Sequence, residues 1–205
     1  QAAGQMQDVV VIHAGTNGTA YWDMLKTTLD GLRDKQVVLV TVHTPNSWMA
    51  DSNRNIKGMA NQFDNVANRE GHIHTTAQEI WTQTNGKVDG FVSAVGTGGT
   101  LAGVAIGLRE KNSAIKIGLA DPDGAALHSF YTDGELRMTG SSITEGIGQG
   151  RITANLEGFR PDFSWNIPDA EALPIVFDLV ENEGLILGGS SGINIAGAIR
   201  LAREL

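Results

Sequence analysis

Cysteine is absent from the 205 residues. That removes disulfides, thiolate nucleophiles and Cys-ligated zinc, and it leaves the redox compartment open. Long apolar runs are absent too. Val9-Val10-Val11-Ile12 and Val37-Val38-Leu39-Val40 are among the longest, about a fifth of a membrane span. Basic residues are scarce: 15 Lys and Arg stand against 23 Asp and Glu, a formal net charge of −8. An acidic balance argues against a nucleic-acid or anionic-membrane surface, because both need clustered Lys and Arg. No charged-then-apolar leader with a small-residue cleavage site opens the chain, so a soluble, cytoplasmic protein is the expectation. Glutamate is missing before Glu70, and all ten glutamates lie from there onward. Residues 1–60 are charge-neutral, with five acids and five bases, so the remainder carries the whole −8. Only 5 of the 26 glycines fall in that first segment. The break near residue 60 reads either as two segments with separate histories or as chance over a short window.

What is present fits a folded α/β protein. Apolar residues make up 41% of the chain, too many for disorder, and the length allows one ordinary domain or two small ones. Short β-branched runs followed by glycine or turn residues predict strands at residues 8–13, 36–43, 88–94 and 115–120, with a further short one at 165–168. Helical patterns fall at residues 21–32, 75–83, 101–111, 170–183 and 192–205. Apolar strands alternating with helices predict a three-layer α/β/α body with a mainly parallel sheet. Residues 121–161 are Gly-rich and weakly periodic, which predicts a long loop region with a turn or two of helix. Leu173, Val176, Phe177 and Val180 are spaced for a buried helix face. The last helical pattern runs to Leu205 without a Gly or Asn cap and without a following strand, which predicts a truncated domain.

Three glycine loops follow this pattern. Val95-Gly96-Thr97-Gly98-Gly99-Thr100 lies between a strong strand and a helix. In that context glycines let several backbone N–H groups converge on one anion, and the helix N-terminus adds partial positive charge. The spacing is neither GxGxxG nor a GK[ST] loop, so neither a dinucleotide site nor a P-loop is supported. A tight turn without a ligand is the plain alternative. Gly188-Gly189-Ser190-Ser191-Gly192 precedes the last helix. One of its serines would serve as the N-cap, or would offer a hydroxyl to a ring nitrogen of a cofactor. Glu145-Gly146-Ile147-Gly148-Gln149-Gly150 is the third, either a flexible surface loop or a backbone that approaches a ligand closely. Three such loops point to a phosphorylated ligand between them.

From Asn61 onward the chain resembles the cysteine synthase family, pyridoxal-phosphate enzymes of the tryptophan-synthase-β fold. The resemblance rests on NQFDNVAN at residues 61–68, TTxxEIW at 75–81, VGTGGTLAGV at 95–104, EGIGQG at 145–150 and EGLxLGGSSGIN at 183–194. It implies that Gly96, Thr97, Gly98, Gly99 and Thr100 hold the cofactor phosphate. Ser190 would face the pyridine nitrogen, Gly146 would lie near the cofactor ring and the amino-acid substrate, and Gln62 would sit near the substrate carboxylate. A serine at the pyridine nitrogen does not enforce a protonated ring, which suits β-replacement. The family's Schiff-base lysine and substrate-carboxylate loop belong upstream of the NQFDN position, and neither is present. Only Lys26, Lys35 and Lys57 precede Asn61, none in a matching context, so impaired catalysis is the expectation. Ala77-Gln78 replaces the usual Gly-Pro, a local change of turn. The family's homodimer contact is left open.

Residues 8–59 resemble the SGNH-hydrolase domains attached to membrane acyltransferases, through Asp8 to Gly18 and then Pro45, Trp48 and Asn53. That resemblance makes Asn17 an oxyanion-hole residue, although Thr16-Asn17-Gly18 reads equally well as a turn. The nucleophile and terminal Asp-x-x-His blocks are missing. The organisation expected is therefore an SGNH-like segment at 1–60 and a cofactor-binding segment at 61–205. The two would pack as one body, as in a chimera or gene rearrangement; the first could supply strands to the second's sheet, and whether they share one is left open. An SGNH-type esterase remnant and a non-enzymatic scaffold are the alternative functions. His13 and His43 are expected to be structural, His72-x-His74 makes a poor metal site without a nearby carboxylate, and Asp121-Pro-Asp-Gly reads as a turn. Trp22, Trp48, Trp81 and Trp165 read as packing residues.

Overall fold

The computed structural model describes residues 62–205 in full, together with the backbone of two strands nearer the N-terminus. Those strands are β1 (Val9–Ala14) and β2 (Gln36–Thr41). They are followed by helices α1 (Ala67–His74) and α2 (Thr76–Gln83), strand β3 (Gly90–Ser93), helix α3 (Gly99–Lys111) and strand β4 (Lys116–Pro122). Helix α4 (Leu127–Asp133), a single 3₁₀ turn (Ala154–Leu156), strand β5 (Phe163–Ile167) and helices α5 (Asp169–Glu183) and α6 (Gly189–Glu204) complete the described fold.

The five strands form one parallel sheet in the order β2-β1-β3-β4-β5. The early and later residues share this sheet: Val10, Val11 and Ile12 of β1 stand opposite Gly90, Phe91 and Val92 of β3. Alternation along the strands builds two cores. Phe91, Ile117 and Leu119 point to one side, where they meet Ile80 of α2, Leu101, Val104 and Leu108 of α3 and Leu127 of α4. Val92 and Ala120 point to the other, against Ile193, Ala196 and Leu201 of α6 and Ala172 of α5. A parallel sheet covered on both faces needs apolar residues at every strand position, and β3 is buried throughout. The result is the three-layer α/β/α body expected from the sequence.

The strand from Lys116 ends at Pro122, two residues beyond the predicted end. The C-terminal helix starts at Gly189 rather than at residue 192, with Gly188 as N-cap and no side-chain cap. Neither serine caps it, because both lie inside the first turn. Helix α1 has no counterpart in the sequence reading. Its residues ANREGHIH bury none of their number, so no apolar stripe marks it. Packing makes it instead: a methyl on Gly103 of α3 would collide with the Arg69 carbonyl of α1, so the two backbones touch. The predicted buried face of α5 is corrected outright. Phe177 is 67% exposed and Val180 42% exposed, and only Ala172 of that helix is buried. A 3.6-residue stripe shows amphipathicity without showing what covers it. Trp165 stacks on Phe163 with ring centroids 5.5 Å apart, and Trp81 packs partly buried against the first core. The helix predicted at 21–32, Asn17, His43, Trp22 and Trp48 lie outside the described residues. No helix among the described residues is long and apolar enough to cross a membrane.

Candidate functional site

Chain direction along the sheet reverses between β1 and β3: from β1 the chain builds outward to β2, and then returns to build β3, β4 and β5 on the other side. In open parallel sheets the crevice at such a switch point, beyond the carboxyl ends of the strands, is where ligands bind. The loop that leaves β3 there is the first glycine loop.

Four side chains hold that loop from outside. Asn68 of α1 donates from Nδ2 to Thr97 Oγ1 (2.9 Å) and to the Gln62 carbonyl (3.0 Å). Thr153 Oγ1 donates to the Thr97 carbonyl (2.7 Å). Asn194 Oδ1 accepts the Ala94 N–H (2.7 Å) at the strand's last step. His72 Nε2 lies 3.1 Å from Thr100 Oγ1, and its Nδ1 lies 2.9 Å from Thr76 Oγ1. Burial holds the His72 imidazole below its ordinary pKa, so it serves as a neutral linker between two hydroxyls. Gly98 is the N-cap of α3, in the left-handed region at φ 85°, and no side chain caps the helix.

The glycines are where backbones meet. A methyl on Gly96 would stand 2.5 Å from the Gly146 carbonyl oxygen, and one on Gly98 would stand 2.5 Å from Leu156 Cγ. The Gly148 N–H donates to the Val95 carbonyl (2.9 Å), which joins the third glycine loop to the first. Gly189, opening α6, packs against the Thr144 methyl. Asn194 Nδ2 donates to the Ser190 carbonyl (2.8 Å). All three glycine loops therefore converge at the carboxyl end of the sheet. Gly96, Thr97, Gly98, Gly99 and Thr100 line one side, Gly146 meets Gly96, and Ser190 stands at the start of α6. Ser190 Oγ forms no hydrogen bond among the described residues.

The segment carrying Gln62 is drawn to the same place. Asn155 Nδ2 donates to the carbonyls of Gln62 (3.0 Å) and Phe63 (2.9 Å). Arg151 meets both carboxylate oxygens of Asp64 at 2.9 Å, and this pairing holds the Asp64 carboxyl below the usual carboxylate range. Gln62 itself is exposed. Sequence reasoning assigned no role to the bracing residues Asn68, Thr153, Asn155 and Asn194, whose partners lie far along the chain.

Asp121 ends up beside this region, at the end of β4. It is 0% exposed, and its Oδ2 accepts the His128 N–H (2.8 Å) while its Oδ1 has no partner. Burial pushes its carboxyl up to about 7.

The donor set suits a phosphate ester. Two threonine hydroxyls, glycine amides at a helix start whose N-cap has no side chain, and the helix dipole all favour an anion, although the Gly99 N–H already donates to Thr97 Oγ1 (3.3 Å). The tight contacts at Gly96 and Gly98 leave no room for side chains in the cradle. A free serine hydroxyl across the crevice suits a weakly basic ring nitrogen. Fold and donor set together are those of the class of parallel-sheet proteins built to bind a phosphorylated ligand.

The chain belongs to the pyridoxal-phosphate dependent enzyme family, whose model matches residues 30–205. It is 41% identical over 207 residues to cysteine synthase 1 of Neurospora crassa, covering 96% of this chain and 54% of that protein. It is 40% identical over 210 residues to cysteine synthase 1 of Emericella nidulans, covering 96% and 55%. Among solved structures, the O-acetylserine dependent cystathionine beta-synthase from Helicobacter pylori superposes with a TM-score of 0.63 at 25% identity, covering 94% of this chain and 63% of that one. The chain spans about half the length of these cysteine synthases. A match over 96% of the chain necessarily includes most of residues 1–60, so the likeness to cysteine synthases does not begin at Asn61. The SGNH-like reading of the first segment, and with it the chimera, finds no support in these matches.

Proposed function

We propose that this chain is the cofactor-binding portion of a pyridoxal-phosphate enzyme that replaces the β-substituent of an amino acid, the O-acetyl group of O-acetylserine by sulfide. The observation that carries the reading is the convergence of the three glycine loops on one crevice at the sheet's switch point. Bound there, the cofactor supplies an electron sink for the charge left when the substrate's α-proton departs. The chain's own residues do the rest. The amides and hydroxyls from Gly96 to Thr100 bind the phosphate, with His72 and Asn68 orienting Thr100 and Thr97. Ser190 meets the ring nitrogen with a neutral hydroxyl and leaves the ring unprotonated, which favours elimination and replacement over transamination. Gly146, open on its Cα face, leaves room for ring and substrate, and Gln62 stands toward the substrate carboxylate.

Lys87, Lys111 and Lys116, the lysines among the described residues, are exposed. They flank the amino ends of β3 and β4, opposite the crevice. Lys26, Lys35 and Lys57 lie outside the described residues. Cofactor binding with little turnover is therefore the expected behaviour of this chain by itself. The test is titration with pyridoxal phosphate, followed by absorbance, with and without Gly96→Ala. Saturable binding that the variant weakens at least tenfold supports the reading, and a flat titration overturns it. Borohydride treatment followed by peptide mass mapping checks the second part. Cofactor fixed to a lysine, together with cysteine formation from O-acetylserine and sulfide, would overturn impaired catalysis.

A further inference from the structure

Asn194 is 2% exposed, and both ends of its amide are satisfied by backbone groups from opposite sides of the crevice. Its Oδ1 accepts the Ala94 N–H at 2.7 Å and its Nδ2 donates to the Ser190 carbonyl at 2.8 Å. The partners force the orientation, because an N–H can only donate and a carbonyl can only accept. Ala94 is the residue between strand β3 and the phosphate loop, and its carbonyl also accepts the Ser93 hydroxyl at 2.8 Å. Its peptide group is thus held at both ends. Ser190 is the second residue of α6, four before Asn194 and one turn back along the same helix.

A side chain as short as asparagine reaches the strand only because the helix comes close. Gly197, three residues on and on the same face, makes that approach: a methyl there would stand 2.6 Å from Ala120 Cβ and 3.1 Å from Val92 Cγ2. With helix and sheet in contact, Asn194 takes the place of a strand neighbour for the first amide beyond β3. It also fixes how far the first turn of α6 stands from the glycine loop.

We propose that Asn194 is a positioning residue for the cofactor site: by tying the Ala94 amide to the Ser190 carbonyl, it sets the distance between the loop that binds the phosphate and the Ser190 hydroxyl. The inference rests on the pyridoxal-phosphate reading and adds to it the element that measures out the ligand. A rigid ring with a phosphate arm at one end and a nitrogen at the other has a fixed span. A ligand offering only a phosphate has none, so it depends on Asn194 only through the bracing of the loop.

The experiment compares pyridoxal phosphate with inorganic phosphate as probes, using the wild-type chain, Asn194→Ala, Ser190→Ala and the double variant. Asn194→Ala is expected to weaken pyridoxal-phosphate binding about tenfold and phosphate binding clearly less, about threefold at most, through the loosened loop. The bound cofactor's absorbance maximum is expected to shift in the same direction as in Ser190→Ala. The double variant is expected to bind pyridoxal phosphate no more weakly than Ser190→Ala, because one variant acts through the other. Should Asn194→Ala fail to fold, Asn194→Asp keeps the acceptor for Ala94 and loses the donor to Ser190, with the same expected pattern. Losses that multiply in the double variant, or equal losses for both probes, overturn the inference while the cofactor reading stands. Wild-type chain that binds phosphate but not pyridoxal phosphate overturns both.

Discussion

Two loops reach the crevice from adjacent strands, and they are held in opposite ways. The loop after β3 is short and braced by Asn68, Thr153, His72 and Asn194, and Gly98 and Gly99 within it are buried. The run after β4 is long, and from Thr132 to Ser141 every residue is exposed, including Leu136 and Met138. A few bonds fasten it: Gly124 N–H to the Thr139 carbonyl (2.8 Å), Ser142 Oγ to Asp169 (2.6 Å) and Ala126 N–H to the Gln149 carbonyl (2.8 Å). Their departure points differ as well. The first loop leaves from a peptide with neutral partners at both ends, the second from a buried carboxyl with one oxygen unpartnered. A phosphate needs several donors fixed at once, so order is concentrated in the first loop. The second can adjust around whatever the first one holds.

That contrast can be broken at Asp121, where the largest effect is expected. Its carboxyl titrates near 7 in the fold against 3.8 in the unfolded chain, so folding favours the protonated form. Stability contributed by that proton is complete below about pH 4, falls as pH rises toward 7, and is gone above it. The slope is at most about 1.4 kcal/mol per pH unit. Asp121→Asn keeps an acceptor for His128 and is expected to flatten this slope in urea unfolding between pH 4 and 7. Gly98→Ala comes next. A methyl there is strained both by φ 85° and by Leu156, and a loss of about 3 kcal/mol is expected. Gly146→Ala in the adjustable loop has φ 77° but nothing within 4 Å, so about 1 kcal/mol is expected from the same denaturation measurement. Equal costs at the two glycines would erase the distinction between the loops. Thr153→Val leaves the Thr97 carbonyl without its donor and should cost about 2 kcal/mol, with weaker phosphate binding by calorimetry. Ser142→Ala, in the exposed run, should cost about 1 kcal/mol or less and leave phosphate binding unchanged.

The sequence made one loop far more legible than the other. Val92, a buried β3 and the run GTGGT opening a helix form a local pattern, and strand, loop and helix stand within a few residues of where it places them. The braces were hidden because they are non-local: Asn68 acts 29 residues away on Thr97, Thr153 acts 56 away, and Asn194 acts 100 away on Ala94. Polar residues of this kind look like ordinary loop or helix residues until the sheet brings their partners near. Helix α1 escaped for a related reason, since its evidence is a glycine on another helix. Phe177 and Val180 misled in the other direction, by carrying the right period on a face that the described residues leave open. The motifs carried the family, while the composition break at residue 60 carried a segment boundary that the family matches run across.

The place of β1 inside the sheet, next to β3, has a consequence for how the chain must be handled. Strand β3 lies between β1 and β4, with Gly90, Phe91 and Val92 paired on both sides. Trimming the chain to residues 62–205 would keep every glycine loop and the core side chains named above. It would also turn β3 from an interior strand into an edge, with a row of backbone N–H and C=O groups along a segment that is buried throughout. Such an edge invites pairing with another copy of itself. A fragment cut at the apparent composition boundary is therefore expected to associate or aggregate, however well its own core is packed.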